Sequence, residues 1–463
     1  MTIRLGSILI ALSAALQPWA NAQGDSAALA APGVSVVAGP QTPTSDPVLF
    51  GTFPQLNVNA PVKAPVWPQR LAPQGSKLQG VCRDIPGIFE KPVGSPGYFP
   101  SEEREPTSLP GAVELLKWAG ASEYATLRIE GPNSFRYSAR PIEVGDPSSA
   151  PTDGPAAKPF RAAMTFEFMS ARDVPGTTRA TAAIDRTLFS LYSAAKGTKV
   201  RGVALMVPGM FGTPDGITES LAKRLRQDGW AVLRMWAHPA RFTESMDVTI
   251  TSNEPMDAQV APWASEIDQR AAETAFASEA AFAHVVASNP EYAALPRVAV
   301  GFSGGAMVMC TVLAREPGVY TAAVMVGGGV DFWLMNERSN YASFINALAV
   351  KYEGFEEVEA AKVAANSAYL DASSLDSFHT AKHIGSTRVL LIQATQDRAV
   401  PSPLGDVLWE RLRRPDRWVR VAGHEFLFAN LRTEYDEVVE WIRKASTDFQ
   451  PPETTGHLPE KFP

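Results

Sequence analysis

Cysteine is almost absent: the 463 residues hold two, Cys82 and Cys310. Two thiols cannot build a disulfide-stapled scaffold or a Cys₄ zinc site, and the sequence leaves open whether these two pair. An excess of positive charge is also lacking. Lys and Arg number 42 against 49 Asp and Glu, a balance of −7, so the chain carries no basic footprint for nucleic acid. Long apolar runs are missing as well. The run Leu5 to Leu16 is too short for ~30 Å of hydrocarbon, which needs about 20 apolar residues, and no other stretch approaches that length. What is present is a globular apolar fraction of 45%, which excludes disorder throughout. The 34 Gly and 38 Pro show no collagen-like period and point to a loop-rich chain.

At the N-terminus Arg4 precedes that apolar run, Pro18 breaks it, and Ala20-Asn21-Ala22 supplies small residues before Gln23. This is the pattern of a secretory signal peptide over 1–22 with an A-x-A cleavage site. The expectation is an exported protein, secreted or periplasmic, with no integral membrane segment after cleavage. From 23 to 75 prolines recur at 40, 43, 47, 54, 61, 65, 68 and 73, which prevents regular helix or central strand and predicts a linker or strap. Residues 76–133 form an extension with a short helix at Ala112–Trp118 and a strand at Tyr124–Ile129, without an assigned role. Residues 446–463 are a Pro-rich tail.

Order is expected over 134–445. Two strand-like runs, Phe135–Val144 and Phe160–Met169, flank a loop of Asp, Pro, Ser, Gly and Ala, as in a long antiparallel hairpin. A further run spans Ala180–Tyr192. Strand and helix then alternate: strands at Val203–Val207, Ala231–Met235, Val298–Val300, Thr321–Val326, Arg388–Gln393 and Trp418–Val421, with a long Ala-rich helix from about Trp263 to Ser288. Unbroken apolar strands between amphipathic helices predict an α/β fold with a mostly parallel sheet covered on both faces. Residues 331–385 interrupt the alternation and read as a helical cap at the carboxyl edge of the sheet.

Gly301-Phe302-Ser303-Gly304-Gly305 matches G-x-S-x-G, a weak signal alone. Here it follows an apolar strand and opens a helix, as a nucleophile elbow requires. A serine hydroxyl needs a base to accept its proton. Of six histidines, only His424 follows the last expected strand, in Ala422-Gly423-His424-Glu425. His284 reads as a helix-face residue, and His379 and His383, at i and i+4, as a pair with no third ligand nearby, so no metal is expected. The base needs a carboxylate, and Asp397 follows the Arg388–Gln393 strand, with Asp331 as rival. An oxyanion hole needs two N–H groups. Gly304 supplies one, and Met210, in Pro208-Gly209-Met210 after the Val203–Val207 strand, supplies the other.

These residues resemble the α/β-hydrolase superfamily over about 134–445. The D-x-x-V-P run at Asp397–Pro401 and the segment Leu375–Leu391 before it are most similar to its dienelactone hydrolase and serine aminopeptidase-like branches. The resemblance implies a Ser-His-Asp triad, no cofactor, and hydrolysis of an ester or amide in a small-molecule or peptide substrate. The chain departs from the family in carrying Pro208-Gly209 where His-Gly is usual. Phe332, Trp333, Leu334, Met335, Tyr341 and Phe344 form an apolar set in the cap, and Trp333 and Met335 are the candidates for lining an acyl pocket; the alternative is that they pack the cap onto the sheet. The expected activity is that of a carboxylesterase. A peptidase of the same fold and a catalytically silent binding protein are the alternatives.

Overall fold

The computed structural model describes residues 46–50, 53–85, 102–106, 111–121, 123–130, 162–210, 213, 215–239, 242, 244–342 and 347–447. The signal-like segment, the Phe135–Val144 run, Phe344 and the tail after 447 lie outside the described residues.

Residues 202–207 show why a sheet forms at the centre. Val203, Leu205 and Val207 enter one apolar core and Ala204 and Met206 enter another, so both faces of this strand are buried. Only a sheet with helices on each side offers that environment. In chain order the strands are β1 (Val81–Asp84), β2 (Glu102–Arg104), β3 (Thr126–Glu130), β4 (Met164–Asp173), β5 (Thr181–Tyr192), β6 (Gly202–Val207), β7 (Trp230–Met235), β8 (Met246–Thr251), β9 (Arg297–Phe302), β10 (Tyr320–Val326), β11 (Leu348–Glu353), β12 (Arg388–Ala394) and β13 (Asp416–Arg420). The main sheet runs β1-β4-β5-β7-β6-β9-β10-β12-β13. From β7 to β13 every pairing is parallel, while β1, β4 and β5 are antiparallel to their neighbours along this path. The mixed, mostly parallel sheet expected from the apolar pattern is therefore present.

One face is covered by α3 (Met256–Ser288), α5 (Met309–Arg315) and α9 (Ser402–Arg411). The other is covered by α2 (Asp215–Gln227), α10 (His424–Leu431) and α11 (Tyr435–Ala445). Ala272, Ala275, Ala277, Ala280 and Ala281 are buried on α3, and their small side chains let this long helix lie close to the strands.

The segment 76–133 joins the sheet instead of standing apart. β1 pairs with β4 and β3 with β5, and α1 (Ala112–Trp118) buries Ala112, Leu115 and Leu116 over them. Among the described residues β4 has an antiparallel partner on each side, β1 and β5, the latter with ten register pairs from Met164↔Leu191 to Asp173↔Ala182. Residues 53–75 lack regular structure and lie along the body as a strap. Lys63 donates its N–H to His379 Nδ1 at 3.3 Å and accepts from His383 Nε2 at 2.9 Å. Arg411 donates to the carbonyls of Val58 and Ala60, and Arg70 makes a buried ion pair with Glu273 of α3. The two histidines thus hold backbone.

The cap differs from a helical insertion. It contains α6 (Phe332–Arg338), β11, α7 (Val358–Ala372) and α8 (Ser377–Thr380). β11 pairs in parallel with β8, from Leu348↔Met246 to Glu353↔Thr251, so two insertions, after β7 and after β10, meet in one small sheet. The alternation Met246, Val248, Ile250 buries one face of β8 against α6, α7 and the N-terminal part of α3. Among the described residues no helix is long and apolar enough to cross a membrane. Cys82 and Cys310 are free and buried, and burial pushes both thiols up, Cys310 to about 12.

Candidate active site

The sharp turn from β9 into α4 (Gly304–Met307) is made by Ser303, whose φ of 50° and ψ of −116° lie in a region that residues with a side chain seldom occupy. Its neighbours permit the turn only because they lack a Cβ. A Cβ on Gly301 would stand 2.7 Å from Gly305 O, and one on Gly305 would stand 2.3 Å from Pro208 O. The Ser303 amide is tied to Val326 O of β10 at 2.8 Å, and its carbonyl accepts from Met307 N at 3.0 Å. The hydroxyl is thereby set at the carboxyl edge of the sheet between β6 and β10.

His424 is the first residue of α10, just after β13. Its Nε2 lies 3.0 Å from Ser303 Oγ and its Nδ1 lies 2.6 Å from Asp397 Oδ2. Asp397 follows β12. Its other oxygen, Oδ1, accepts from the amides of Ala399 at 3.0 Å and Val400 at 2.9 Å, so the carboxylate is held from both sides. Burial pulls the His424 pKa down, but the charge and hydrogen bond of Asp397, with a smaller contribution from Glu425, outweigh it and leave the imidazole above its ordinary value. The ring is bounded by Phe428, edge-on at 4.9 Å, and Tyr341, edge-on at 5.9 Å, whose hydroxyl donates to Glu425.

Asp331 is taken up elsewhere. It is fully buried, caps α6 by accepting from Leu334 N at 3.0 Å, and accepts from Asn366 Nδ2 at 2.9 Å. Burial, with the charge of Asp376 beside it, pushes this carboxyl far above the carboxylate range. A group that resists ionisation and is spent on a cap is poorly suited to stabilise an imidazolium.

Gly304 and the Pro208–Met210 loop are in direct contact, since a Cβ on Gly304 would stand 2.8 Å from Met210 N. The amides expected to hold an oxyanion are therefore neighbours. Trp333 is fully buried in the cap core, stacked on Tyr369 at 5.8 Å, and Met335 is buried in the same cluster. Phe332, beside them, lines a small apolar recess with Phe242, Met307 and Val308, a space bordered by neither Trp333 nor Met335 and by neither Ser303 nor His424. His238 has no role in the sequence reading, yet its Nε2 lies 2.8 Å from Pro208 O, within the loop facing Gly304. Its position just after an apolar strand was the available signal.

Residues 259–447, which include Ser303, Asp397 and His424, match the sequence profile of the prolyl oligopeptidase family. No curated protein sequence matches the chain. Among solved structures, an acylaminoacyl peptidase from Pyrococcus horikoshii is 10% identical with a TM-score of 0.39, covering 62% of this chain and 49% of its own. This chain thus spans about half the length of that relative. Est1E from Butyrivibrio proteoclasticus is 11% identical with a TM-score of 0.37, covering 60% of this chain and 98% of its own. An esterase from Pyrococcus furiosus is 13% identical with a TM-score of 0.37, covering 56% and 86%.

Proposed function

We propose that this chain, a serine hydrolase of the α/β-hydrolase superfamily, is an exported enzyme that cleaves carboxylic esters through an acyl-enzyme intermediate on Ser303. The observation that carries the reading is the unbroken line Ser303 Oγ, His424, Asp397, at 3.0 and 2.6 Å. In this mechanism Ser303 attacks the carbonyl carbon while His424 Nε2 accepts its proton and then delivers it to the leaving alcohol. Asp397 keeps the other proton on Nδ1 and stabilises the imidazolium as it forms. The amides of Gly304 and Met210 take up the negative charge on the tetrahedral oxygen. Water, deprotonated by His424, then releases the acid and restores the serine. No step asks for a cofactor.

Amide cleavage runs through the same intermediate, and the match to the prolyl oligopeptidase profile favours it as the second reading. Turnover of p-nitrophenyl esters against aminoacyl p-nitroanilides separates the two. For the central claim, a fluorophosphonate should label the wild type covalently, and Ser303→Ala should lose both labelling and ester turnover, the latter by several orders of magnitude. Labelling that persists in Ser303→Ala would remove Ser303 from the mechanism. A wild type that neither labels nor turns over would favour a binding protein.

A further inference from the structure

One buried group near the reacting centre is outside the triad. His238, just beyond β7, is 1% exposed, and its ring is stacked on Phe242 at 4.3 Å. A carbonyl can only accept, so the 2.8 Å contact to Pro208 O requires that Nε2 carry a proton and donate. Nδ1 then accepts from the Thr274 hydroxyl of α3 at 3.2 Å. Burial drags the imidazole down to about 4, which keeps it neutral and in this one tautomer.

Pro208 O is therefore confined from two directions, by the His238 N–H and by the backbone at Gly305, where even a methyl group would strike it at 2.3 Å. On the next residue, the Gly209 amide donates to Thr213 Oγ1 at 2.8 Å. The carbonyl of 208 and the amide of 209 belong to one peptide plane, so these two bonds fix the plane from which Gly209 leads into the following peptide. That peptide carries the Met210 amide, packed against Gly304.

We propose that His238 is a positioning residue: by donating to Pro208 O it fixes the loop that presents the Met210 amide to the oxyanion, and so acts on the transition state without touching substrate. This rests on the reading of Ser303 and of the oxyanion hole given above. An oxyanion donor acts on charge that is absent from the ground state, so loosening it should depress kcat and spare KM.

The test compares His238→Phe, which keeps the stacking ring but has no N–H, with His238→Gln, whose amide N–H reaches about as far as Nε2. With a p-nitrophenyl ester, kcat of the Phe variant should fall on the order of 10- to 100-fold with KM within about twofold. The Gln variant should recover most of that loss. An undiminished kcat in a folded His238→Phe overturns the proposal, as does a loss carried by KM or a Gln variant as impaired as Phe. If the Phe variant does not fold, His238→Asn against His238→Gln makes the same contrast, since the Asn amide is too short to reach Pro208 O. Equal rates in that pair would also overturn it. Ser303→Ala is measured alongside: residual labelling there defeats the catalytic reading itself, whereas a dead Ser303→Ala with an unaffected His238 series defeats only the positioning role.

Discussion

Replacing Asp397 by Asn changes one atom, and the surroundings dictate how the new amide must sit. Two backbone N–H groups, from Ala399 and Val400, point at Oδ1 at 3.0 and 2.9 Å. The Asn oxygen must take that place, because an NH₂ there would oppose two donors. The NH₂ is then left facing His424 Nδ1, where the carboxylate now stands at 2.6 Å. Nδ1 can meet it only as an acceptor, so the ring proton moves to Nε2, and Nε2–H points at Ser303 Oγ. In that tautomer the histidine cannot accept the serine proton. Serine-protease triads lose about 10⁴ in kcat from the corresponding change, and the same loss is expected here. At 1.36 kcal/mol per factor of ten this is about 5 kcal/mol of transition-state stabilisation. Ester turnover under saturating substrate measures it, with circular dichroism to establish that the variant is folded. Asp331→Asn, measured in parallel, should keep most of the activity, since that carboxyl serves the α6 cap. A folded Asp397→Asn that retains more than about a tenth of wild-type kcat would refute the tautomer argument.

The pH profile follows from His424, which must be neutral to act as base and titrates above its ordinary value. The acid limb of kcat/KM should therefore fall as pH drops through a pKa above about 6.5, and a limb below that would contradict the Asp397 pairing. Arg70→Ala should destabilise the protein by about 3–5 kcal/mol in chemical denaturation, because it strands Glu273 in the core. Burial already pushes Glu273 up to about 7, against the pull of Arg70. Without Arg70 it rises further, so the loss should be larger at pH 8 than near pH 4.5, where the carboxyl is protonated in the folded state; a loss independent of pH would refute this. Trp333→Ala should cost about 3–5 kcal/mol for its fully buried ring. If Trp333 and Met335 also shape the acyl side through Phe332, their Ala variants should shift the preference across acetyl to octanoyl esters; an unchanged profile in both would remove them from the pocket.

Strands β6, β7, β9, β10 and β12 were legible to within about two residues, because strands buried on both faces must be largely apolar, whereas the edge strand β13 is only partly buried. The elbow was legible for a similar reason: a turn that tolerates no Cβ leaves glycines at 301 and 305 in the chain. β8 is not marked by local pattern as part of a sheet, although Met246, Val248 and Ile250 alternate, since its partner Leu348–Glu353 arrives almost a hundred residues later. The strand pairings of 76–133 were hidden for the same reason, as was His238, which makes its contact to Pro208 across 30 residues. Asp397 and Asp331 look alike in sequence, each just beyond an apolar strand.

By itself the sequence determined the local parts: a serine on a glycine-flanked turn after a strand, a histidine beyond the last strand, two acids, and a proline-rich strap. Each of these depends on periodicity or turn sterics acting over a few residues. Only the tertiary structure decided which acid reaches His424, which histidine holds the Pro208 loop, and that two distant insertions close one cap. Those outcomes turn on which side chains meet across 27, 30 or 121 residues, and such meetings are set by sheet order and packing, to which no local pattern is sensitive.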